Sequence, residues 1–216
     1  MIVAGVLIAL AADRWNQGRL EASAEASYVE RLELDIRDDS LRAELFLASG
    51  PAISAANAAM VDLLRTGEGP ADLVATIVTA FEELILPAPA TWNDLQSTGA
   101  LSLLRDPDTR LAVVSYYSAR QEVALQVERT VRRGRDPFMD QLYPMGLFRP
   151  RIDRDGRADC IGETCFEPVP REVFASWPGM ERLLAGLESG HGAQQVHARR
   201  LIAFSGVALS VLADWD

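Results

Sequence analysis

The chain contains no lysine, so all 21 of its basic residues are arginines. Aspartate and glutamate together number 31, and the formal net charge is −10. An acidic surface repels phosphate backbones, which argues against nucleic acid as a partner. We attribute the absence of lysine to the base composition of a GC-rich genome. The arginines are therefore not interpreted as a nucleic-acid-binding set.

Histidine is nearly as scarce as lysine, since only His191 and His197 occur. Two histidines leave few general bases near neutral pH. The chain also lacks the G-x-S-x-G, P-loop, G-x-G-x-x-G and H-E-x-x-H motifs. The sequence therefore predicts no catalytic residue, no cofactor and no metal. Catalysis by carboxylates alone stays open, because helical spacing does not show which acids meet in space.

The only two cysteines are Cys160 and Cys165. Two thiols are too few for a structural zinc site, which takes four ligands. They form a disulfide if this part of the chain lies outside the cytoplasm, and stay free thiols if it lies inside. The pair is therefore a candidate disulfide whose state depends on the topology of the chain.

Residues 2–12 are an unbroken apolar run that ends at Asp13. Eleven helical residues reach roughly 16 Å, about half of the hydrocarbon core of a bilayer. Three interpretations are open. The run is part of a transmembrane helix whose first turns lie upstream of Met1, with Trp15 at the interface. It is a signal peptide with a small-x-small sequence at residues 9–11, although no arginine precedes it. Or it is a core helix.

Continuity with the following helix favours the first interpretation. We expect residues 1–15 to be a membrane anchor that contacts the bilayer through residues 2–12. Residues 16–216 are then a single helical extramembrane domain.

Helical spacing continues after the anchor. One face carries Val29, Leu32, Ile36, Ala43 and Leu47, and a flanking apolar row carries Leu34, Leu41 and Leu45. The acids between them, Glu33, Asp35, Asp38 and Asp39, are interpreted as a solvated helix face, with a functional carboxylate cluster as the alternative. Breaks are predicted at Ser49-Gly50-Pro51 and at Gly190-His191-Gly192. Thr91 is the predicted N-cap of a short helix.

A long internal helix is predicted from Pro107, capped by Asp106, to about Arg133. Four arginines near its expected end oppose the helix dipole: Arg129, Arg132, Arg133 and Arg135. The first three are also a candidate anion contact. An irregular insert is expected at about residues 136–170. The last helix, Ala193 to Leu212, is interpreted as a core helix, with a second membrane segment as the alternative.

Two stretches resemble a group of uncharacterised bacterial proteins. One is G-V-L-I-A-L-x-x-x-x-W (Gly5 to Trp15), followed by Arg31, Leu32 and Asp35. The other is T-W-x-x-L-x-S-x-G-x-L-x-L-x-x-D (Thr91 to Asp106), followed by Leu111 and Tyr116-Tyr117. The group consists of single-span, N-terminally anchored helical proteins of unknown function. The resemblance covers about the first 120 residues.

Members of this group usually carry basic residues before the span, which places the domain outside the cytoplasm. The resemblance implies the same location for this chain. It implies no catalytic residues.

The sequence thus predicts an all-α protein: a helical bundle of long antiparallel helices with an N-terminal membrane helix and a small irregular insert. The first functional hypothesis is a non-enzymatic, membrane-tethered interaction or sensing domain on the outer face of the bacterial inner membrane. Its partners would be the lipid bilayer and a second copy or an envelope protein. The alternatives are a carboxylate-dependent hydrolase and a structural accessory subunit of a membrane complex.

Overall fold

A computed structural model describes residues 2–142 and 170–215. The helices are α1 (Ile2–Thr66), α2 (Leu73–Ala80), α3 (Ala90–Thr98), α4 (Pro107–Leu142), α5 (Arg171–Ser176) and α6 (Met180–Ala213), with a 3₁₀ turn at Ala100–Leu103. This described part of the chain contains no strand, which confirms the all-α class. Cys160, Cys165 and positions 143–169 of the expected insert lie outside it.

Helix α1 is continuous through Gly50 and Pro51, so the helix end predicted there is wrong. A Cβ at Gly50 would lie 2.7 Å from Nε2 of Gln195, the end of a flexible side chain that can move aside. An interior proline costs about 3 kcal/mol. The following turns bury Ile53 and Met60 completely, and burial of such side chains gives about 1.5–3 kcal/mol each. Tertiary packing therefore overrides the local signal.

The break predicted at Gly190-His191-Gly192 is also wrong, because α6 runs through it. Each interior glycine costs about 1 kcal/mol relative to alanine. His191 is buried and Gly190 faces α4, where a Cβ would lie 3.5 Å from the Thr130 carbonyl oxygen. The tertiary contacts of this turn offset the weak helix propensity.

Helix α4 begins as predicted and ends later than predicted. Asp106 caps it, accepting a hydrogen bond from the Thr109 N–H at 2.7 Å. The helix does not end near Arg133 but continues to Leu142, so the insert does not begin at residue 136. The reason is burial, because Phe138 and Leu142 are fully buried in this last part of the helix.

The N-cap predicted at Thr91 is wrong as well. Helix α3 begins at Ala90, and no side chain of its own N-cap residue, Pro89, bonds to its first turn. The Thr91 N–H donates to the Asp35 carboxylate of α1 at 3.3 Å instead. Asp35, 56 positions away in sequence, thus accepts a hydrogen bond from one of the first backbone N–H groups of α3. Such N–H groups have no partner within the helix itself.

The chain divides into two compact units. The first comprises Met1–Leu41, Leu86–Gln121 and Leu201–Asp216. Its core confirms Val29, Leu32 and Ile36 of the predicted face of α1, while Leu47 at the end of that face is only half-buried. Its buried apolar residues include Val29, Leu32, Ile36, Leu95, Leu104, Val113, Tyr116, Leu201 and Leu212.

The second unit comprises Arg42–Ile85 and Glu122–Arg200. Its core contains Met60, Leu63, Ile77, Phe138, Leu142, Phe174, Met180 and Leu184. Phe138 lies at the centre, with its ring 5.3 Å from that of Phe81 and 6.4 Å from that of Phe174. Aromatic pairs at these distances are favourable beyond their buried area.

Two helices in the described part of the chain are long and apolar enough to cross a membrane, judged by length and composition alone. One is the Ala9–Thr66 part of α1, with a mean hydropathy of 1.2 in its most apolar window. The other is α6, with a value of 1.4. A core helix of a soluble protein can satisfy the same criterion. The exposure of the apolar side chains therefore has to distinguish a membrane span from a core helix.

Candidate functional site

The described apolar residues near the start of α1 are exposed. Val6, Leu7 and Leu10 are 53%, 61% and 51% exposed, and Ala9 and residues 11–17 are exposed as well. Successive helical residues are about 100° apart, so Val6, Leu7 and Leu10 share one side of the axis, while Ala9, Ala11 and Ala12 lie in the other directions. Residues 6, 7 and 9–12 are therefore apolar and exposed on every side, unlike an amphipathic surface helix.

A tryptophan and two arginines follow this apolar segment. Trp15 is 72% exposed, and the Arg19 guanidinium lies over its ring at 5.9 Å from the centroid. Arg14, which directly precedes Trp15, is exposed as well. Trp beside cations is typical of the headgroup region of a bilayer, because the ring is apolar on one side and carries a polar N–H.

The first unit also contains an open cleft of about 660 Å³. Its charged lining residues are Glu25, Arg105, Asp106, Asp108 and Asp214, and its aromatic lining residue is Trp215. The volume lies in the range of small-molecule sites. Four carboxylates and one guanidinium give the lining a negative formal charge, which favours a cationic group over a phosphate.

Two of these charged residues, Glu25 and Arg105, form an ion pair. Glu25 is 2% exposed, and its carboxylate accepts from the Arg105 backbone N–H and from Arg105 Nε, both at 2.7 Å. At the rim, hydrogen bonds from the Thr109 side chain and backbone lower the pKa of Asp106 from its ordinary value of 3.8. Asp106 is thus ionised near neutral pH, as a helix cap should be and as a general acid is not.

A second polar group is buried in the same unit, centred on Asp39. Its carboxylate accepts from Arg120 Nε at 2.5 Å and from the Tyr116 hydroxyl at 2.7 Å. Arg120 also donates to the Pro87 carbonyl oxygen. The side chains of Asp39 and Arg120 are 5% and 6% exposed. The interpretation of this acid as part of a solvated face is therefore wrong.

The same burial acts on the neighbouring tyrosines. Desolvation, with the nearby Asp39 charge, raises the pKa of Tyr116 far above its ordinary 10. Desolvation also raises the pKa of Tyr117, whose ring stacks on Trp92 at 4.8 Å. Both hydroxyls are thus neutral at physiological pH. Burial is the largest single influence on the pKa of Arg120 and lowers it, but the hydrogen bond to Asp39 and the charge of Asp39 together raise that pKa above its ordinary value. The Asp39–Arg120 ion pair therefore has a structural role.

The three arginines of the candidate anion contact lie on α4 at i, i+3 and i+4 spacing. Arg129, Arg132 and Arg133 are each exposed, and Arg132 binds Glu128 on the same helix. They do not stand at a helix C-terminus, because α4 continues to Leu142. The structure thus removes the dipole argument for them, and the anion contact itself stays a prediction. Within residues 2–142 and 170–215, no group of three His, Cys, Asp or Glu side chains is placed to hold a metal ion.

Sequence reasoning missed the Glu25–Arg105 pair and the Asp39–Arg120 pair. Their partners are 80 and 81 residues apart, and neither spacing has a local signal. The one available hint was position. Asp39 follows Leu32 and Ile36 at helical spacing, so it shares their buried face.

The group of single-span bacterial proteins described above remains an expectation for this chain. Of its motif positions, Thr91, Tyr116 and Tyr117 are buried in the first unit, whereas Leu111 is exposed and Asp106 lines the open cleft. No protein-family model matches the chain, and no curated protein or solved structure shows significant similarity to it.

Proposed function

We propose that this chain is a non-enzymatic, single-pass membrane protein that α1 tethers to the inner membrane of a bacterium. Its helical domain lies on the outer, periplasmic face and acts as an interaction or sensing domain. The fold we propose for that domain is a bundle of long antiparallel helices. One observation carries the tether: the exposure of the apolar residues 6, 7 and 9–12 on every side of α1.

Removal of the exposed apolar side chains from water favours the tether. Transfer of a Leu or Val side chain out of water is worth about 1.5–3 kcal/mol. Val6, Leu7 and Leu10 each leave half or more of their surface in water. A lipid environment covers these side chains and also the exposed alanines on the other sides of the helix, and it places Trp15 and Arg19 at the headgroup level.

Helix α6 contributes Leu201, Ala208 and Leu212 to the core of the first unit, and Met180 and Leu184 to that of the second. Its most apolar window is 28% buried, against 33% for that of α1, and Val196 and Val207 are exposed. The single-pass topology that we propose therefore rests on the core contacts of α6 and not on a greater burial of this helix.

An interaction role is supported by leucines of α1 that lie beyond the tether. Leu34 and Leu41 are 58% and 52% exposed and are seven residues apart, so they lie on one side of the helix. Exposed large apolar side chains that recur on one side are typical of protein-binding surfaces. The partner would be a second copy or an envelope protein, since the net charge of −10 disfavours nucleic acid.

A carboxylate-dependent hydrolase would need a concave group of acids with raised pKa values. The cleft of the first unit has the acids, but Asp106 has a lowered pKa. Glu25 in the cleft is neutralised by Arg105, and the buried Asp39 is neutralised by Arg120. These pairings support the non-enzymatic proposal.

Protease accessibility in spheroplasts tests the proposed location. We expect added protease to cut the domain while a cytoplasmic marker protein stays intact, because the domain lies outside the inner membrane. A detergent-lysed sample shows that the domain is cleavable at all. If the domain resists protease in spheroplasts and is cut only after lysis, it faces the cytoplasm, and the periplasmic location is wrong.

A further inference from the structure

His191 is a buried side chain with unused hydrogen-bonding capacity. It lies on α6 in the second unit and is 5% exposed. Its ring packs against Phe46 of α1, with centroids 4.9 Å apart. In the described part of the chain, neither Nδ1 nor Nε2 has a hydrogen-bond partner. Buried polar atoms are nearly always partnered, so two such atoms on one ring require an explanation.

Three charged groups face the same small cavity as His191. Glu82 and Glu83 reach it from the segment after α2, and Arg135 reaches it from α4. From α6 itself the neutral Gln194 lines it, and its side-chain oxygen accepts from the Leu84 N–H at 3.0 Å. The cavity measures about 10 Å³, room for about one water molecule.

Only one of the two carboxylate oxygens of Glu83 has a partner among the described residues. One of its oxygens, Oε1, binds Arg135 at 2.6 Å. The other, Oε2, is buried and has no partner among the described residues. An imidazole that can gain a proton and a carboxylate oxygen that can accept one more hydrogen bond thus line one cavity. The neutral ring of His191 needs no counter-charge here. Once the ring is protonated, Oε2 of Glu83 can accept its hydrogen bond.

We infer that His191 is a proton-operated switch in the second unit, in which a protonated ring draws Glu83 away from Arg135 and loosens the packing of α6 against α4. A neutral imidazole is tolerated beside Phe46. An imidazolium is not tolerated there without a counter-charge, because an unpaired buried charge is costly. Glu83 supplies that counter-charge through its free Oε2, and the pull of the imidazolium on the carboxylate weakens the bridge from Oε1 to Arg135.

The pH window follows from the environment of the ring. Desolvation lowers the pKa of His191 below its ordinary 6.5, and the attraction of Glu82 offsets this only in part. The open form therefore takes up the proton first as pH falls. The closed form is fully stable above pH 6.5 and loses stability progressively below it. One linked proton changes the opening equilibrium by up to about tenfold per pH unit.

Hydrogen exchange by mass spectrometry on the full chain tests this inference at about pH 7.5 and about pH 5. With rates corrected for intrinsic exchange, we expect protection of residues 130–139 and 187–195 to fall by about tenfold or more at the lower pH. His191→Phe should abolish that loss, because a phenyl ring suits the contact with Phe46 and cannot be protonated. His197→Gln, which removes the only other histidine, should retain it.

NMR titration of the two imidazoles keeps the inference testable if His191→Phe does not fold. The variant His197→Gln assigns the signals, and His191 should titrate below 6.5. In Glu83→Gln the midpoint should fall further, because one of the two carboxylates that face the cavity is gone. Protection that is independent of pH in the wild type, or an unchanged midpoint in Glu83→Gln, would overturn the inference. None of these measurements depends on the membrane tether.

Discussion

Asp39→Ala should lower the free energy of unfolding by about 3–5 kcal/mol, one of the two largest single-residue effects that we expect. The variant leaves the Arg120 guanidinium, 6% exposed, with only the Pro87 carbonyl oxygen as an acceptor. The cost comes mainly from this uncompensated buried cation rather than from the lost attraction. Urea denaturation followed by circular dichroism measures the change.

Two further variants separate charge burial from general damage at this position. Tyr116→Phe removes one hydrogen bond to Asp39 and keeps the charge pair, so it should cost only about 1 kcal/mol. The double variant Asp39→Leu with Arg120→Met removes both charges and should recover most of the loss. A cost below about 1 kcal/mol for Asp39→Ala would mean that the pair is not held as described.

Gly134→Ala should destabilise the second unit by about 2 kcal/mol, although alanine is the better helix former. A Cβ at Gly134 would lie 2.9 Å from the carbonyl oxygen of Gly186 on α6. This neighbour is backbone, so relief requires the two helices to separate. Thermal or urea unfolding of the purified chain measures the loss.

Gly186→Ala is the matched control, since it makes the same change across the same contact. A Cβ there meets nothing within 4 Å. It should therefore stabilise the protein by about 0.5–1 kcal/mol through helix propensity alone. Equal effects of the two substitutions would contradict the close approach of α4 and α6 in this unit.

Hydrophobic spacing was the most informative feature of the sequence. The repeat of Val29, Leu32 and Ile36 predicted the buried face of α1 correctly, because the spacing of residues within one helix decides which side chains share a face. The cap at Asp106 was predictable for the same reason, since its partner is three residues away. Features fixed within one turn of a helix are visible in a single sequence.

Glycine and proline were misleading where packing uses them. Gly50 and Gly190 suggested helix ends, yet each lies inside a helix at a close contact with another element. Whether a glycine breaks a helix or admits a neighbour depends on a residue far away in sequence. The buried pairs of Glu25 and Asp39 have the same character, because their arginines follow about 80 residues later.

The exposed apolar segment of α1 is the basis of the proposed function, and flotation with lipid vesicles tests it most directly. We would compare the wild type, the double variant Leu7→Glu and Leu10→Glu, and the control Leu34→Glu and Leu41→Glu. The two pairs have similar exposure, 61% and 51% against 58% and 52%, and lie on one helix. Circular dichroism confirms that all three chains are equally helical.

The wild type and the Leu34/Leu41 control should float with phosphatidylethanolamine–phosphatidylglycerol vesicles. The partitioning of the Leu7/Leu10 variant into the vesicles should be at least about 100-fold weaker. The variant loses two leucines that the lipid would bury and brings two charges into the hydrocarbon core. If the Leu7/Leu10 variant floats as well as the wild type, or if no chain floats, residues 2–12 are not a membrane tether.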